Sequence, residues 1–280
     1  MTSSVLIPDT VNPFNPALST KEIEEHFPQF GKIEYVAQGG QGVVLVSHET
    51  GSQSKMAIKI YFPGSHPDRT QREIGSLKRL NTPFISRFRA SGAITLRGET
   101  CLYVVTDFIE GHVLSYNVAL GPMDEAVVIH VGYGVANAIE EMWQLRIVHR
   151  DIKPANIMLK NNGNCVLIDL GIARHLNSSS LTTMGKTWGT EGYMSPEHAR
   201  AFRQLSCKSD VFSLGITLLE CLLGAHPTNG NQYALSAGVP RSASIRRGLS
   251  PKLAQVIDSM VEYRPECRPL PSELIKIFSS

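Results

Sequence analysis

The chain has 280 residues, of which 42% are hydrophobic and 19% charged. That balance excludes a wholly disordered chain, and 23 glycines and 16 prolines without a period exclude a collagen-like one. A net charge of +2, from 27 Lys and Arg against 25 Asp and Glu, gives no reason to expect a nucleic-acid partner.

Residues 1–20 are rich in Ser, Thr, Pro and Asn and read as a flexible arm. A short helix is expected from Thr20, capped by Ser19 or Thr20, with Glu22 or Glu24 at its positive end. Tyr35–Ala37, Val43–Val46 and Met56–Tyr61 are β-branched or aromatic runs between glycine turns and predict an antiparallel meander. Ile74, Leu77 and Leu80 recur at three-residue spacing and predict a helix over 69–80. Strands are expected at Phe88–Ile94 and Leu102–Phe108, and a joint near Asp107–Gly111.

Beyond Gly111 the pattern turns helical. Val127, Val128, Val131, Val135, Ala138, Ile139 and Met142 make one apolar face of a helix over 124–145. Two short strands, Asn156–Leu159 and Cys165–Ile168, flank the Asn161-Asn162-Gly163 turn. Residues 171–196 are polar and aperiodic, and Val211–Leu223 form an almost wholly apolar helix. A looser stretch to Ser250 contains Arg241, Arg246 and Arg247, which read as a solvated face or a docking point for an acidic partner. Helices Pro251–Glu262 and Pro271–Phe278 finish the chain.

Cys101, Cys165, Cys207, Cys221 and Cys267 include no C-x-x-C pair, and no basic leader precedes an apolar core. Reduced thiols, a soluble protein and a cytoplasmic location are expected. No 18-residue apolar run predicts a membrane span.

Five short segments carry chemistry. Ala37-Gln38-Gly39-Gly40-Gln41-Gly42-Val43-Val44 is a small-residue turn whose backbone can approach a phosphate, although a flexible hairpin explains it equally well. Ala57-Ile58-Lys59 places a lysine in an apolar strand, where an unpaired charge is costly. His149-Arg150-Asp151-Ile152-Lys153-Pro154-Ala155-Asn156 sets an aspartate five residues before an asparagine. Asp169-Leu170-Gly171 and Gly189-Thr190-Glu191-Gly192-Tyr193-Met194-Ser195-Pro196-Glu197 follow in order.

This ordered series resembles the catalytic domain of eukaryotic-type (Hanks-type) serine/threonine protein kinases, in the bacterial-like branch, from about Tyr35 to the last helix. The resemblance implies an α+β, protein kinase-like bilobal fold. It has a small antiparallel N-lobe with one helix and a larger, mainly helical C-lobe. The expected division is 1–20 arm, 21–110 N-lobe with the glycine-rich loop, and 111–280 C-lobe with the catalytic loop and activation segment.

By the same resemblance the chain is a non-specific serine/threonine protein kinase that uses ATP and Mg2+, with Mn2+ as a substitute. Asp151 would be the catalytic base, Lys153 would approach the transferring phosphate, and Thr190 would contact both. Lys59 would pair the phosphates with Glu73; Glu22, Glu24 and Glu25 fit that partnership poorly. Asn156 and Asp169 would hold the metal. The nucleotide would meet Ala37, Gly39, Gly42, Val44, Ala57, Thr106 and Met158, with Asp107 and Ile109 supplying hinge hydrogen bonds. Leu170 replaces the usual phenylalanine, Ala37 the first glycine and Gln41 an aromatic tip. Glu197 would pair with Arg268, and Asp210 would anchor the His149–Arg150 backbone, a helix N-cap being its plainer reading.

Partners implied are proteins with Ser/Thr acceptors, and no nucleic acid. Arg150 suggests activation-loop phosphorylation among Ser178, Ser179, Ser180, Thr182, Thr183 and Thr187, with Thr182 or Thr183 favoured. Pairing of two copies for phosphorylation in trans is left open, as is whether the chain stands alone. A kinase-like interaction protein without transfer, or a kinase-fold enzyme acting on a small molecule, are the alternatives.

Overall fold

The computed structural model describes residues 18–39, 42–51, 54–63, 74–75, 77–170, 174–175, 189–201 and 205–280. Glu73, Gln41 and the Ser178–Thr187 acceptors lie outside the described residues. The chain divides into two units, Met1–Arg79 with Ser86–Phe108, and Leu80–Ile85 with Ile109–Ser280.

The first unit is built on a five-stranded antiparallel sheet of order β1-β2-β3-β5-β4. Its strands are β1 (Glu34–Gly39), β2 (Gly42–His48), β3 (Lys55–Tyr61), β4 (Phe88–Leu96) and β5 (Glu99–Asp107). Period-two alternation sorts the side chains between two faces. Val43, Leu45, Met56, Ile58, Ile60, Cys101 and Val105 are buried in one core. Val44, Ala57, Lys59 and Thr106 occupy the alternate positions. The β4–β5 hairpin closes over Arg97 and Gly98, both at positive φ (49° and 85°), so the turn suits the strands' right-handed twist.

Helix α1 (Thr20–Glu24) starts with a capping box: Ser19 Oγ accepts the Glu22 N–H, and the Glu22 carboxylate accepts the Ser19 N–H at 2.8 Å. Arg97 bonds the same carboxylate at 2.7 Å, and Glu24 accepts the Ile33 N–H at 2.8 Å. Leu18, Ile23, Phe27 and Ile33 thereby enter the sheet's core, with the Phe27 ring edge-on to Tyr103. Leu18, Ser19 and Thr20, expected in the arm, are thus part of the packed structure.

The second unit is mainly helical, with α2 (Leu114–Ala119), α3 (Glu125–Gln144), α4 (Pro196–Ala199), α5 (Cys207–Leu223), α6 (Gln232–Ala237), α7 (Ser242–Ile245), α8 (Pro251–Met260) and α9 (Pro271–Phe278). The apolar face expected on α3 is buried except for Val127, which is half-buried: Val128, Val131, Val135, Ala138, Ile139 and Met142 are each fully enclosed. Helix α5 is buried nearly all round, and Ser206 caps it, accepting the Lys208 N–H. It therefore begins four residues earlier than the apolar run suggested, and Asp210 is not its N-cap.

Small strands β6 (Gly111–Val113), β8 (Ile157–Lys160) and β9 (Cys165–Leu167) form one sheet, and β7 (Ile147–Val148) pairs with β10 (Arg174–His175). Asn156, expected to open a strand, instead ends a 3-10 turn over Pro154–Asn156, because Pro154 fixes a helical φ at its first position. Of the three arginines, Arg241 and Arg247 are exposed, as a solvated face would have them, and Arg246 is structural. Arg246 donates to the carbonyls of Met123 (2.7 Å) and Leu222 (3.0 Å), and Arg241 pairs with Glu262 at 3.2 Å.

Candidate active site

In the sheet unit, register places Val44 opposite Lys59 and also opposite Ala37, and Ala57 opposite Thr106. The expected nucleotide-contacting side chains Val44, Ala57, Lys59 and Thr106 therefore share one sheet face, opposite the α1-covered core. Lys59 is half-buried, with its Nζ 4.7 Å from the Tyr61 ring centroid. The β1–β2 hairpin pairs Gly39 with Gly42. A Cβ on Gly42 would lie 2.1 Å from the Ile60 carbonyl oxygen, so strand packing alone already demands glycine there. At the end of β5, the N–H groups of Asp107 and Phe108 donate to the carbonyls of Arg87 (3.0 Å) and Lys55 (3.1 Å). The Asp107 carboxylate is paired with Arg89.

In the helical unit, β7 feeds the loop that carries His149 to Asn156. The loop is hung from Asp210, whose two carboxylate oxygens accept the N–H groups of His149 (2.8 Å) and Arg150 (2.9 Å). Burial pushes the Asp210 carboxyl above its ordinary value, while those donors and the nearby His149 pull against it. His149 is fully buried and accepts the Asp151 N–H at Nδ1, 3.2 Å away, which is a structural role. Arg150 and Asp169 both sit at positive φ (71° and 62°), a strained conformation for residues with a Cβ.

Three side chains converge at Asp151. Its Oδ1 accepts the Thr190 hydroxyl at 2.6 Å. Its Oδ2 accepts from Asn156 Nδ2 (3.0 Å) and faces Lys153 Nζ (3.0 Å). Lys153 Nζ also donates to Thr190 Oγ1 at 2.5 Å. Asn156 Nδ2 reaches the Asp151 carbonyl as well (2.8 Å), so its amide orientation is set and its Oδ1 points the other way. The Ile168 N–H donates to the Asn156 carbonyl at 2.8 Å, which ties the residue before Asp169 to the loop. Asn156 Oδ1 and the Asp169 carboxylate are hard oxygen donors of the kind magnesium takes. Leu170 is buried, so leucine fills the apolar slot after the aspartate.

The segment holding Thr190 is fastened to the helical core. Ser195 caps α4 and bonds Ser209 at 2.6 Å. The Tyr193 hydroxyl donates to Glu220 at 2.5 Å, and Ser213 Oγ donates to the Tyr193 carbonyl at 2.8 Å. Burial and the Glu220 carboxylate push the Tyr193 phenol well above its ordinary value. His226 and Gln232, which the sequence did not single out, also hold this segment. Glu197 and Arg268 form the expected pair, with Nη1–Oε1 2.7 Å and Nη2–Oε2 3.0 Å. The remaining guanidinium donors meet the carbonyls of Glu262, Lys208 and Tyr263, so all five are used.

These motifs, in this order and on this scaffold, find their match in the protein kinase domain family, which covers residues 30–277. The chain belongs to that family. The serine/threonine-protein kinase PrkC of Bacillus subtilis is 30% identical to it over 238 residues, covering 82% of this chain and 36% of PrkC. PknB of Mycobacterium tuberculosis, also named a serine/threonine-protein kinase, is 31% identical over 84% of this chain and 40% of its own length. PknE of Mycobacterium bovis is 29% identical over 86% of this chain and 44% of its own. The chain thus spans less than half the length of these relatives. Among the described residues, no helix is long and apolar enough to cross a membrane.

Proposed function

We propose that this protein kinase domain transfers the γ-phosphoryl group of ATP to serine and threonine hydroxyls of proteins. The observation that carries this reading is the closed Asp151–Lys153–Thr190–Asn156 network. Asp151 Oδ1 accepts one bond, from Thr190, and a carboxylate oxygen has two lone pairs. The remaining pair is the acceptor for a substrate hydroxyl proton. As the hydroxyl oxygen bonds to the γ-phosphorus, the bond from that phosphorus to the β–γ bridging oxygen breaks. ADP departs, and the proton passes to Asp151.

Lys153 lies beside Asp151 and supplies positive charge where the equatorial phosphoryl oxygens become negative. Thr190, bonded to both, fixes their relative geometry. Asn156 Oδ1 and Asp169 would hold magnesium, whose chemistry is to neutralise the triphosphate charge; manganese would substitute. Val44, Ala57, Lys59 and Thr106, on one sheet face, would meet the nucleotide, as would Ala37, Gly39, Gly42 and Met158. Glu73 would pair with Lys59. At the hinge, Asp107 and Phe108 have spent their N–H groups, which leaves the Asp107 carbonyl and the Ile109 N–H to serve adenine. Thr182 or Thr183 would be the acceptor when one copy phosphorylates another.

The test offers γ-labelled ATP, magnesium and generic protein acceptors to the chain, then maps the label. Label on serine and threonine, abolished by chelating magnesium, is expected. Retained nucleotide binding with no labelled protein would contradict the reading and favour a kinase-like interaction protein.

A further inference from the structure

The turn that carries Thr190 is held from one side by a loop with no part in the network at Asp151. That turn closes on itself, with the Tyr193 N–H donating to the Thr190 carbonyl at 3.2 Å. Gly192 lies within it at φ +88°, and a Cβ there would sit 2.8 Å from Gly230 Cα, so the loop between α5 and α6 presses directly on the turn.

His226 of that loop and Gln232 at the start of α6 grip both backbone groups of Gly192. Gln232 Oε1 accepts the Gly192 N–H at 2.9 Å, and its Nε2 donates to the Met194 carbonyl at 2.8 Å. His226 Nε2 lies 2.9 Å from the Gly192 carbonyl. Its Nδ1 lies 2.8 Å from the Gly230 amide nitrogen and 3.2 Å from that of Thr228. Backbone amides only donate, so Nδ1 must present its lone pair and the ring proton must be on Nε2. The loop's own backbone thereby selects the tautomer that donates to Gly192. The His226 ring also stands edge-on to Tyr193, with centroids 5.0 Å apart.

We propose that His226 and Gln232 are positioning residues for the protein acceptor. They fix the Thr190–Tyr193 turn, and through it the Thr190 hydroxyl that bridges Asp151 and Lys153. The inference rests on the reading of transfer to protein hydroxyls. Neither side chain belongs to the sheet face assigned to the nucleotide, so their loss acts on the acceptor and spares ATP.

The two ring nitrogens of His226 can be tested apart. His226→Gln places an amide donor near the Nε2 position and removes the Nδ1 acceptor. His226→Asn keeps an acceptor near Nδ1 for the loop amides but cannot reach Gly192. Steady-state kinetics with a protein acceptor would compare wild type, both His226 variants and Gln232→Ala. Losing one part-buried hydrogen bond to the turn corresponds to about a tenfold fall in kcat/KM for the acceptor. That fall is expected for His226→Asn and at least that for Gln232→Ala, which loses two bonds, with near-normal values for His226→Gln and a KM for ATP unchanged within about twofold.

Rescue by Asn rather than Gln would overturn the proposal by assigning His226 to loop building alone. Unchanged acceptor kinetics in every variant, or a parallel rise in the KM for ATP, would overturn it too. Hydrogen exchange at the Gly192 amide supplies a readout that needs no activity, and Gln232→Ala should accelerate it. Unchanged exchange would overturn the clasp itself. Absence of transfer by the wild type would overturn the transfer reading and, with it, the acceptor role.

Discussion

Arg268 is fully buried, and each of its five donors has an acceptor, with the Phe212 ring centroid 4.9 Å from the guanidinium carbon. A lysine there has three donors on a point charge and cannot reproduce the planar fork. Arg268→Lys should therefore destabilise the domain by about 3–5 kcal/mol, the usual result of breaking a buried pair, read by denaturant unfolding. Burial raises the Glu197 carboxyl, but its bonds to Arg268 and that residue's charge outweigh burial and hold it below the ordinary 4.5. A lowered carboxyl contributes stability above its unfolded value, and that contribution fades as pH falls through the folded one. The gap in stability between wild type and Glu197→Gln should accordingly be widest near neutral pH and narrow in acid below about pH 4.5. A gap that widens on acidification would contradict the assignment. This pair was legible in the sequence because the resemblance to the kinase family implies it. The His226 and Gln232 contacts were not, since their partners lie 34 and 40 residues away and no motif marks them.

At the scale of elements, the long helices α3 and α5 and the meander strands followed from periodicity, which needs a window of several turns or a clear alternation. Helices α2, α6 and α7 are six, six and four residues long, too short to leave such a signal. Composition misled only at Leu18–Thr20, which read as the end of a flexible arm. Ile23 and Phe27 are buried at 0% and 1% exposure, so the segment from Leu18 completes the sheet's core. Phe27→Ala should cost about 3–5 kcal/mol and Ser19→Ala about 1 kcal/mol. Thermal melts would check both, and a Phe27→Ala protein as stable as the wild type would show that α1 and its flanks are dispensable.

For the whole molecule, cysteine chemistry reports on how the interior is closed. Burial pushes the Cys101 thiol up to about 11 and those of Cys165 and Cys207 up to about 12, and it raises Cys221 further. Since the thiolate is the nucleophile, these four should resist alkylation in the native protein. Cys267 alone is exposed and should react first, with the others following only on unfolding, as mass spectrometry of the modified chain would show. Fast native labelling of Cys165 or Cys221 would contradict the packing around α3 and α5. The two-unit architecture and the side-chain network at Asp151 were both readable from the ordered motifs through their resemblance to the kinase family. The fastening of the Thr190 segment was not readable, because many side chains can hold a backbone in place.

The central claim is that Asp151 takes the acceptor proton within the Lys153, Thr190 and Asn156 network. The most direct measurement is the single-turnover rate of phosphoryl transfer by Asp151→Asn beside the wild type, with ATP affinity measured on both. Asparagine keeps the shape and loses the basic oxygen. A fall of about 10²–10⁴-fold in the transfer step, with ATP binding retained, is expected. A variant that transfers at the wild-type rate would contradict it.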